Sequence, residues 1–324
     1  MTKPSNPIFS VVIPIHNKLP HLERSINSVL NQTYQDFEVL IIDDHSPEPL
    51  NLYTDKRIKV YRNDVNKGPG LSRDVGLDKA NGEYIAFLDS DDYWHKDFLR
   101  NTIQAFSDNK DIAMVCGQVV EVNEKGHVFK RRRNNTFELT TILPYILQKG
   151  RPWCTSACLW NASIAKNSGM WINSRNWEDY VFDVSIAFKN NNVKTLHETL
   201  VYYDASGDDK LSYINIKQTL PEKYKSLRAI ISKVVQLNDN ELKDICLLNI
   251  KHICFGLTAQ STDISSKDIT KKYLKLAVSN KMINRFEYLL LLSLSQKFIG
   301  RYLRHKKASI NRFREYKTLL NQST

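Results

Sequence analysis

Residues 66–92 read NKGPGLSRDVGLDKANGEYIAFLDSDD, and the order of periods inside them sets the fold class. Pro69 to Ala80 opens with a proline near its first turn and is followed by Asn81-Gly82, the start and stop signals of a helix. Glu83-Tyr-Ile-Ala-Phe-Leu88 is an apolar run of strand length. Three acids, Asp89, Asp91 and Asp92, follow it. The same unit recurs on the N-terminal side. Phe9–Pro14, Phe37–Ile42 and Arg57–Tyr61 read as strands, and Leu19–Gln32 carries Leu22, Ile26, Val29 and Leu30 at helical spacing. Strand and helix in alternation predict an α/β fold with helices on the faces of a parallel sheet. In such a sheet the ligand crevice lies beyond the carboxyl ends of the strands. The candidates are therefore His16-Asn17, Asp43-Asp44-His45-Ser46, Asn63-Asp64 and Asp89-Ser90-Asp91-Asp92.

From Asp111 to about Asp204 the pattern is mixed. Ile112–Val122, Gly126–Lys130 and Trp153–Trp160 read as strands, Asp179–Lys189 as a helix and Val193–Tyr203 as a last extended segment. Beyond Pro221 the chain reads as all-helical, with Lys223–Leu237, Asn240–Phe255, Asp268–Val278 and Arg285–Tyr316 as the long pieces. Ser206-Gly-Asp-Asp-Lys210 reads as a hinge, giving domains at 1–210 and 211–324. Charge follows that division. Residues 1–210 hold 25 Lys and Arg against 27 Asp and Glu, whereas residues 211–324 hold 21 against 8, so the net +11 of the 324-residue chain belongs to its last third. A near-neutral body with a basic C-terminal segment needs a separate explanation for each part.

Five cysteines, Cys116, Cys154, Cys158, Cys246 and Cys254, are too few and too scattered for a disulfide framework, which predicts a reducing, cytoplasmic setting. Cys154 and Cys158 have no second pair to complete a zinc set and read as buried thiols. The polar start and the short run FSVVIPI predict no export signal. Tyr288–Leu294 falls far short of the roughly 20 apolar residues of a membrane-spanning helix.

The acids after the fourth strand carry the first chemical signal. Three carboxylates within four residues repel one another, so a fold that gathers them at a cleft supplies a cation. Oxygen-only ligands suit Mg²⁺ or Mn²⁺ and leave coordination positions for a substrate's phosphates. Asp43-Asp44 closes a neighbouring strand, bringing a second carboxylate pair to the same edge of the sheet.

FSVVIPIHN (9–17), SVLNQTYQDFEVLIIDDHS (28–46) and residues 66–92 resemble the successive motifs of glycosyltransferase family 2, inverting nucleotide-sugar-dependent enzymes of the GT-A fold. The resemblance is close over residues 9–100 and looser to about residue 204. It implies a GT-A Rossmann-like mixed sheet flanked by helices, here followed by a C-terminal helical region that it does not cover. It places Pro14, His16 and Asn17 in the first nucleotide loop, with His16 in place of a more usual aromatic residue. Asp44 takes the place of the uracil-reading carboxylate, with Asp43 beside it. Asn66, Gly68 and Arg73 fall in the segment that closes over ribose and phosphate. Asp89, Ser90 and Asp91 form the D-x-D element, with Asp89 and Asp91 as metal-binding acids and Asp91 as the direct ligand. For Arg73 a solvated helix position is an equal alternative.

Asn176-Trp-Glu-Asp-Tyr180 carries the second signal. Inverting sugar transfer is a single displacement in which the acceptor hydroxyl must lose a proton, so one carboxylate is needed opposite the leaving nucleotide. Glu178 and Asp179 point about 100° apart on a helix start, so one of them serves. Trp177, Tyr180 and Phe182 give apolar surroundings that raise a carboxyl pKa. The resemblance selects Asp179. Trp153, Trp160, Trp171 and Trp177 read equally as a sugar-stacking wall or as core.

The expected reaction moves a sugar from a UDP-linked donor, with a dTDP-linked one as second choice, to a hydroxyl of a cell-surface glycan or lipid-linked acceptor. Residues 297–317 carry eight Lys or Arg against Glu315, interleaved with apolar residues, the composition of an interfacial helix on an anionic membrane or of a basic helix packed on its own domain. Another Rossmann-type nucleotide-dependent enzyme is disfavoured because Pro14-Ile-His-Asn17, not G-x-G-x-x-G, follows the first strand. A nucleic-acid-binding role for the basic tail is the remaining alternative, and no nucleic-acid partner is expected.

Overall fold

The computed structural model describes residues 7–308 apart from 18, 49, 51–52, 110, 124, 132–137, 170, 207–214, 265 and 294–297. The chain separates into two compact units, Met1–Lys210 and Leu211–Thr324. The hinge expected at 206–210 lies outside the described residues from 207 onward.

The first unit is built on one nine-stranded mixed sheet. Strands β1 (Phe9–Ile15), β2 (Phe37–Asp43), β3 (Ile58–Arg62) and β4 (Tyr84–Phe87) run parallel in the order β3-β2-β1-β4. Every residue of β1 and β2 is buried, as continuous apolar strands covered on both faces must be. Helices α1 (Leu19–Leu30) and α2 (Pro69–Lys79) make the crossovers. Gly76 lets α2 settle on β1, since a Cβ there would lie 2.2 Å from Val12 Cγ1. Beyond β4, the sheet continues through β8 (Cys158–Asn161), β6 (Met114–Val122), β9 (Val193–Asp204) and β5 (Tyr93–Trp94), with β7 (Val128–Arg131) paired to β6. The β4–β8 and β8–β6 pairs are antiparallel and β6–β9 is parallel, which makes the sheet mixed.

Strand order reverses between β1 and β4, and their ladder ends at Val12 and Phe87. Pro14 lies past that ladder on the β4 side, where a residue without an N–H interrupts no pairing with β4. The two strands part there and open a crevice at their carboxyl ends.

Helix α3 (Phe98–Asp108) follows β5, and α4 (Tyr145–Lys149), α5 (Ala162–Ser168) and α6 (Glu178–Lys189) complete the unit. The strand expected over Trp153–Trp160 is corrected to a 3-10 turn at Thr155–Ala157 followed by β8. Trp160 and Trp171 are core residues, 0% and 1% exposed, and Trp171 stacks on Phe182 at 4.3 Å. All five cysteines are free and buried.

The second unit is helical: α7 (Ile216–Val234), α8 (Asn240–Asp263), α9 (Lys267–Ser279) and α10 (Arg285–Ser293), with residues 298–308 also helical. Asn215 and Asp239 cap α7 and α8, accepting from the Lys217 N–H at 2.9 Å and the Leu242 N–H at 3.0 Å. Pro221 is inside α7 rather than ahead of it. Tyr273 is fully buried and its hydroxyl donates to the Leu220 carbonyl at 2.8 Å, joining α9 to α7. Of the helix expected over 285–316, residues 309–316 lie outside the described set.

Candidate active site

The carboxyl ends of β1, β2 and β3 are tied together by the residues that follow them. Asp43, 1% exposed, accepts from the Ser46 N–H at 2.9 Å and pairs with the Arg62 guanidinium, whose second nitrogen donates to the Ser46 carbonyl at 2.7 Å. The Asn17 N–H donates to Ser46 Oγ at 3.1 Å, and His16 Nδ1 lies 3.0 Å from the Asp44 carbonyl. His16 and Asn17 are both exposed, and Asn17 takes φ 58°. Asp43 thus shapes the loop that Asn17 and Asp44 occupy, and its own carboxylate is spent inside the protein.

Asp44 is 4% exposed and accepts three hydrogen bonds: from Asn63 Nδ2 at 2.8 Å, the Lys67 N–H at 2.8 Å and the Gly68 N–H at 2.7 Å. It draws the entry of α2 onto the end of β2. Gly68 caps α2 at φ 83°, a left-handed position where a side chain is strained. Asn66 is at the rim and accepts from Arg175 at 3.2 Å.

Arg73 is the point where the two sides of the crevice meet. It is 5% exposed, which replaces the solvated alternative. One guanidinium nitrogen donates to Asp89 at 2.6 Å and the other to Glu178 at 3.2 Å, and the group sits 4.9 Å from the Trp171 ring. Its Nε is buried without a partner among the described residues. Burial disfavours its charge, but Asp89 and Glu178 outweigh that and hold its pKa above the ordinary arginine value.

Asp89 keeps its side chain 31% exposed, and its N–H donates to Ser156 Oγ at 3.1 Å. Ser90 is 7% exposed and its carbonyl accepts from Ser25 at 2.9 Å. Asp91 is half-buried, with its carbonyl accepting from Arg24 at 2.7 Å. Asp92 points into the protein, 0% exposed, accepting from Ser156 Oγ at 2.5 Å and from the Asp204 N–H at 3.3 Å. The turn therefore divides the acids: Asp89 and Asp91 retain access to solvent, and Asp92 anchors the turn to the end of β9. Arg24 also pairs with Asp204, whose carboxyl is held down at about 2 against its burial by bonds from Ser206 and Arg24.

Across the crevice α6 opens with Trp177 at φ 66°. Glu178 turns in toward Arg73. Its carboxyl is pushed up to about 7, chiefly by burial and next by the Asp179 charge, against the pull of Arg73. The surroundings that raise a carboxyl therefore belong to Glu178. Asp179 remains 26% exposed, pairs with Arg151 and accepts from the Tyr180 N–H at 2.8 Å. Arg151 also donates to Asp183 at 2.7 Å, and Asp183, 0% exposed, accepts from Trp153 Nε1 at 2.9 Å. Trp153 is thus core as well, leaving Trp177 as the half-buried member of the four tryptophans.

Sequence reasoning passed over Arg24, Arg151, Ser156, Asp183 and Asp204. Only Asp204 carried a readable signal, as an acid at the carboxyl end of an extended run. Among the described residues no group of three or more His, Cys, Asp or Glu is placed to hold a metal by itself. A surface concavity of about 720 Å³ lies elsewhere, beside Asn101, Asp108, Asn192 and Glu198, and none of the acids above lines it.

Residues 10–166 match the profile of the family described as Glycosyl transferase family 2. Through these residues, just under half of its length, the chain is similar to glycosyltransferase family 2. The chain is 35% identical over 127 residues to an Escherichia coli family relative named UDP-Glc:alpha-D-GlcNAc-diphosphoundecaprenol beta-1,3-glucosyltransferase WfgD, covering 38% of this chain and 50% of that one. It is 44% identical over 108 residues to the succinoglycan biosynthesis protein ExoW of Rhizobium meliloti, covering 30% of this chain and 34% of that one. It spans 30% of the length of an uncharacterized glycosyltransferase of Rickettsia conorii, at 34% identity over 187 residues. The crystal structure of S. aureus TarS 1–349 in complex with UDP-GlcNAc superposes with a TM-score of 0.66 at 21% identity, covering 98% of this chain and 92% of that one. That likeness establishes the GT-A fold. The match to glycosyltransferase family 2 favours that reading over another Rossmann-type nucleotide-dependent enzyme.

Proposed function

We propose that the chain transfers a sugar, with inversion, from a UDP-linked donor to a hydroxyl of a cell-surface glycan or lipid-linked acceptor. The observation that carries this reading is the convergence of three sets of acids on one crevice: Asp44 behind β2, Asp89 and Asp91 behind β4, and Asp179 at the head of α6. The UDP-GlcNAc in the TarS complex and the UDP-glucose in the name of WfgD support a uridine donor, with a dTDP-linked one second. The diphosphoundecaprenol in the WfgD name and the succinoglycan in the ExoW name support the acceptor class.

The first loop, Pro14 to Asn17, with Asp43, Asp44, Asn66 and Gly68, frames the nucleotide. Asp44 is already satisfied by three donors, so its part in reading the base is to set the loop against which the ring lies. The chemistry of Asp89 and Asp91, two carboxylates with solvent access that offer oxygen ligands only, fits Mg²⁺ or Mn²⁺. Held by Asp89 and Asp91, such an ion would supply positive charge against the departing diphosphate. Arg73 holds Asp89 in position, and Ser90 gives the turn its buried backbone anchor. On the opposite side Asp179 accepts the acceptor's hydroxyl proton while the new bond from that oxygen to the anomeric carbon forms and the bond to the diphosphate oxygen breaks.

The test is a screen of nucleotide sugars for binding and slow hydrolysis, with and without Mg²⁺ or Mn²⁺. Metal-dependent binding of a UDP-sugar, weakened by Asp91→Ala, is the expected result. Absence of binding across the panel, or an unchanged Asp91→Ala variant, overturns the reading.

No helix among the described residues is long and apolar enough to cross a membrane. A cytoplasmic protein in peripheral contact with the inner face of the membrane suits a lipid-linked acceptor. Of the basic segment 297–317 expected to make that contact, residue 297 and residues 309–317 lie outside the described set.

A further inference from the structure

We propose that the outward face of α10 is the surface by which the C-terminal unit lies on an anionic lipid bilayer. α10 reads RFEYLLLLS over Arg285–Ser293. At 100° per residue, Arg285, Phe286, Leu289, Leu290, Leu292 and Ser293 share one broad arc, and Glu287 and Leu291 lie on the other side. The structure uses the helix in that sense. Leu291 is buried at 1%. Glu287 faces the helical residues 298–308, pairing with Lys306 and accepting from the Tyr302 hydroxyl at 2.8 Å.

The outward arc is apolar where a surface helix is ordinarily polar. Phe286 is 75% exposed, Leu289 64%, Leu290 47% and Leu292 39%, four of the nine large apolar side chains that stand exposed among the described residues. The single acid of α10 is turned inward, so the arc carries no negative charge and has Arg285 in it.

The unit's charge identifies what covers this face. Residues 211–324 carry 21 Lys and Arg against 8 Asp and Glu, and Lys271, Lys272, Lys275, Lys281 and Arg301 are all exposed. A second copy docked on the same face would bring two such units together and is opposed by their repulsion. A bilayer with anionic headgroups satisfies both properties at once, taking the leucines and phenylalanine at the acyl boundary and the cations at the headgroups. Within 298–308, Ile299 is 2% exposed and Leu303 0%, so these two face inward, and Phe298 stands 52% exposed.

The test is co-sedimentation of the full chain with vesicles of phosphatidylcholine alone or mixed equally with phosphatidylglycerol, for wild type and the triple variant Phe286→Ser, Leu289→Ser, Leu290→Ser. The wild type is expected to sediment with the anionic vesicles, less so in high salt, and the triple variant to bind about tenfold more weakly or worse. Its thermal melt should match the wild type because the replaced side chains are exposed. A Leu289→Trp variant supplies an independent reading: its added emission should shift to the blue with anionic vesicles. Wild type that stays in solution, a triple variant that sediments equally, or an unshifted Trp emission overturns the proposal. So does a lipid-free wild-type dimer by light scattering that the triple variant dissolves, which would assign the face to a second copy. Nucleotide-sugar binding is unaffected by any of these outcomes, so this proposal and the proposed reaction fail separately.

Discussion

Glu178 and Asp179 are chain neighbours in the first turn of α6, yet they belong to different halves of the site. Glu178 is 8% exposed and reaches Arg73, through which it is linked to Asp89 on the donor side. Asp179 keeps 26% of its side chain in solvent and reaches Arg151, which it shares with Asp183. Each acid has an arginine, and each arginine has two acids. One residue of helix is enough to separate them because successive side chains diverge by about 100°. In the proposed reaction the difference assigns the roles: the buried acid braces the donor-side acids, and the solvent-accessible one is left to meet the acceptor. α6 thereby serves as the rigid piece that keeps the two halves in register.

Removing the donor-side arginine should have the largest effect on that arrangement. Arg73→Met leaves Asp89 and Glu178 facing each other around a buried void in charge, and the unfolding free energy measured in urea should fall by about 3–5 kcal/mol. A loss within experimental error of zero would mean that the two halves do not depend on the bridge.

The pH dependence of stability separates the two acids next. The Glu178 carboxyl is raised from 4.5 to about 7 in the folded chain. Between those values the folded protein holds a proton that the unfolded chain has released, so this group's contribution to stability falls as pH rises across the window. The stability difference between wild type and Glu178→Gln should therefore decline by about 2–3 kcal/mol from the acid to the neutral end. A difference that stays flat with pH would remove the buried, donor-side character assigned to Glu178.

The smallest of the three effects is expected on the acceptor side. Arg151→Lys keeps a cation beside Asp179 and Asp183 but loses the planar fork that serves both. Turnover should drop on the order of tenfold through misplacement of Asp179, with the donor KM unchanged. A changed donor KM would instead move Arg151 to the nucleotide half and blur the distinction between the two acids.

Much of the first half was legible because parallel strands announce their carboxyl ends: an apolar run followed by acids marks Asp43-Asp44 and Asp89-Ser90-Asp91 directly. The pairings that fix those acids were not legible. Arg73 meets residues 16 and 105 positions away, and Arg24 meets an acid 180 positions away, separations that no local pattern encodes. Trp153–Trp160 misleads because its bulky residues suit a strand and a buried turn alike. Thr155–Ala157 turns so that Ser156 can serve Asp89 and Asp92. In the second unit the apolar periodicity of 298–308 was readable, but which side faces inward depended on Glu287 pairing with Lys306, a tertiary contact.

The most direct test of the division of labour at the head of α6 is a paired measurement on Asp179→Asn: calorimetric titration with the UDP-sugar that the wild type binds, and sugar transfer by the same preparation. Donor affinity should match the wild type while transfer falls by about a hundredfold to ten-thousandfold. Full transfer by Asp179→Asn, or loss of donor binding along with it, would contradict the account.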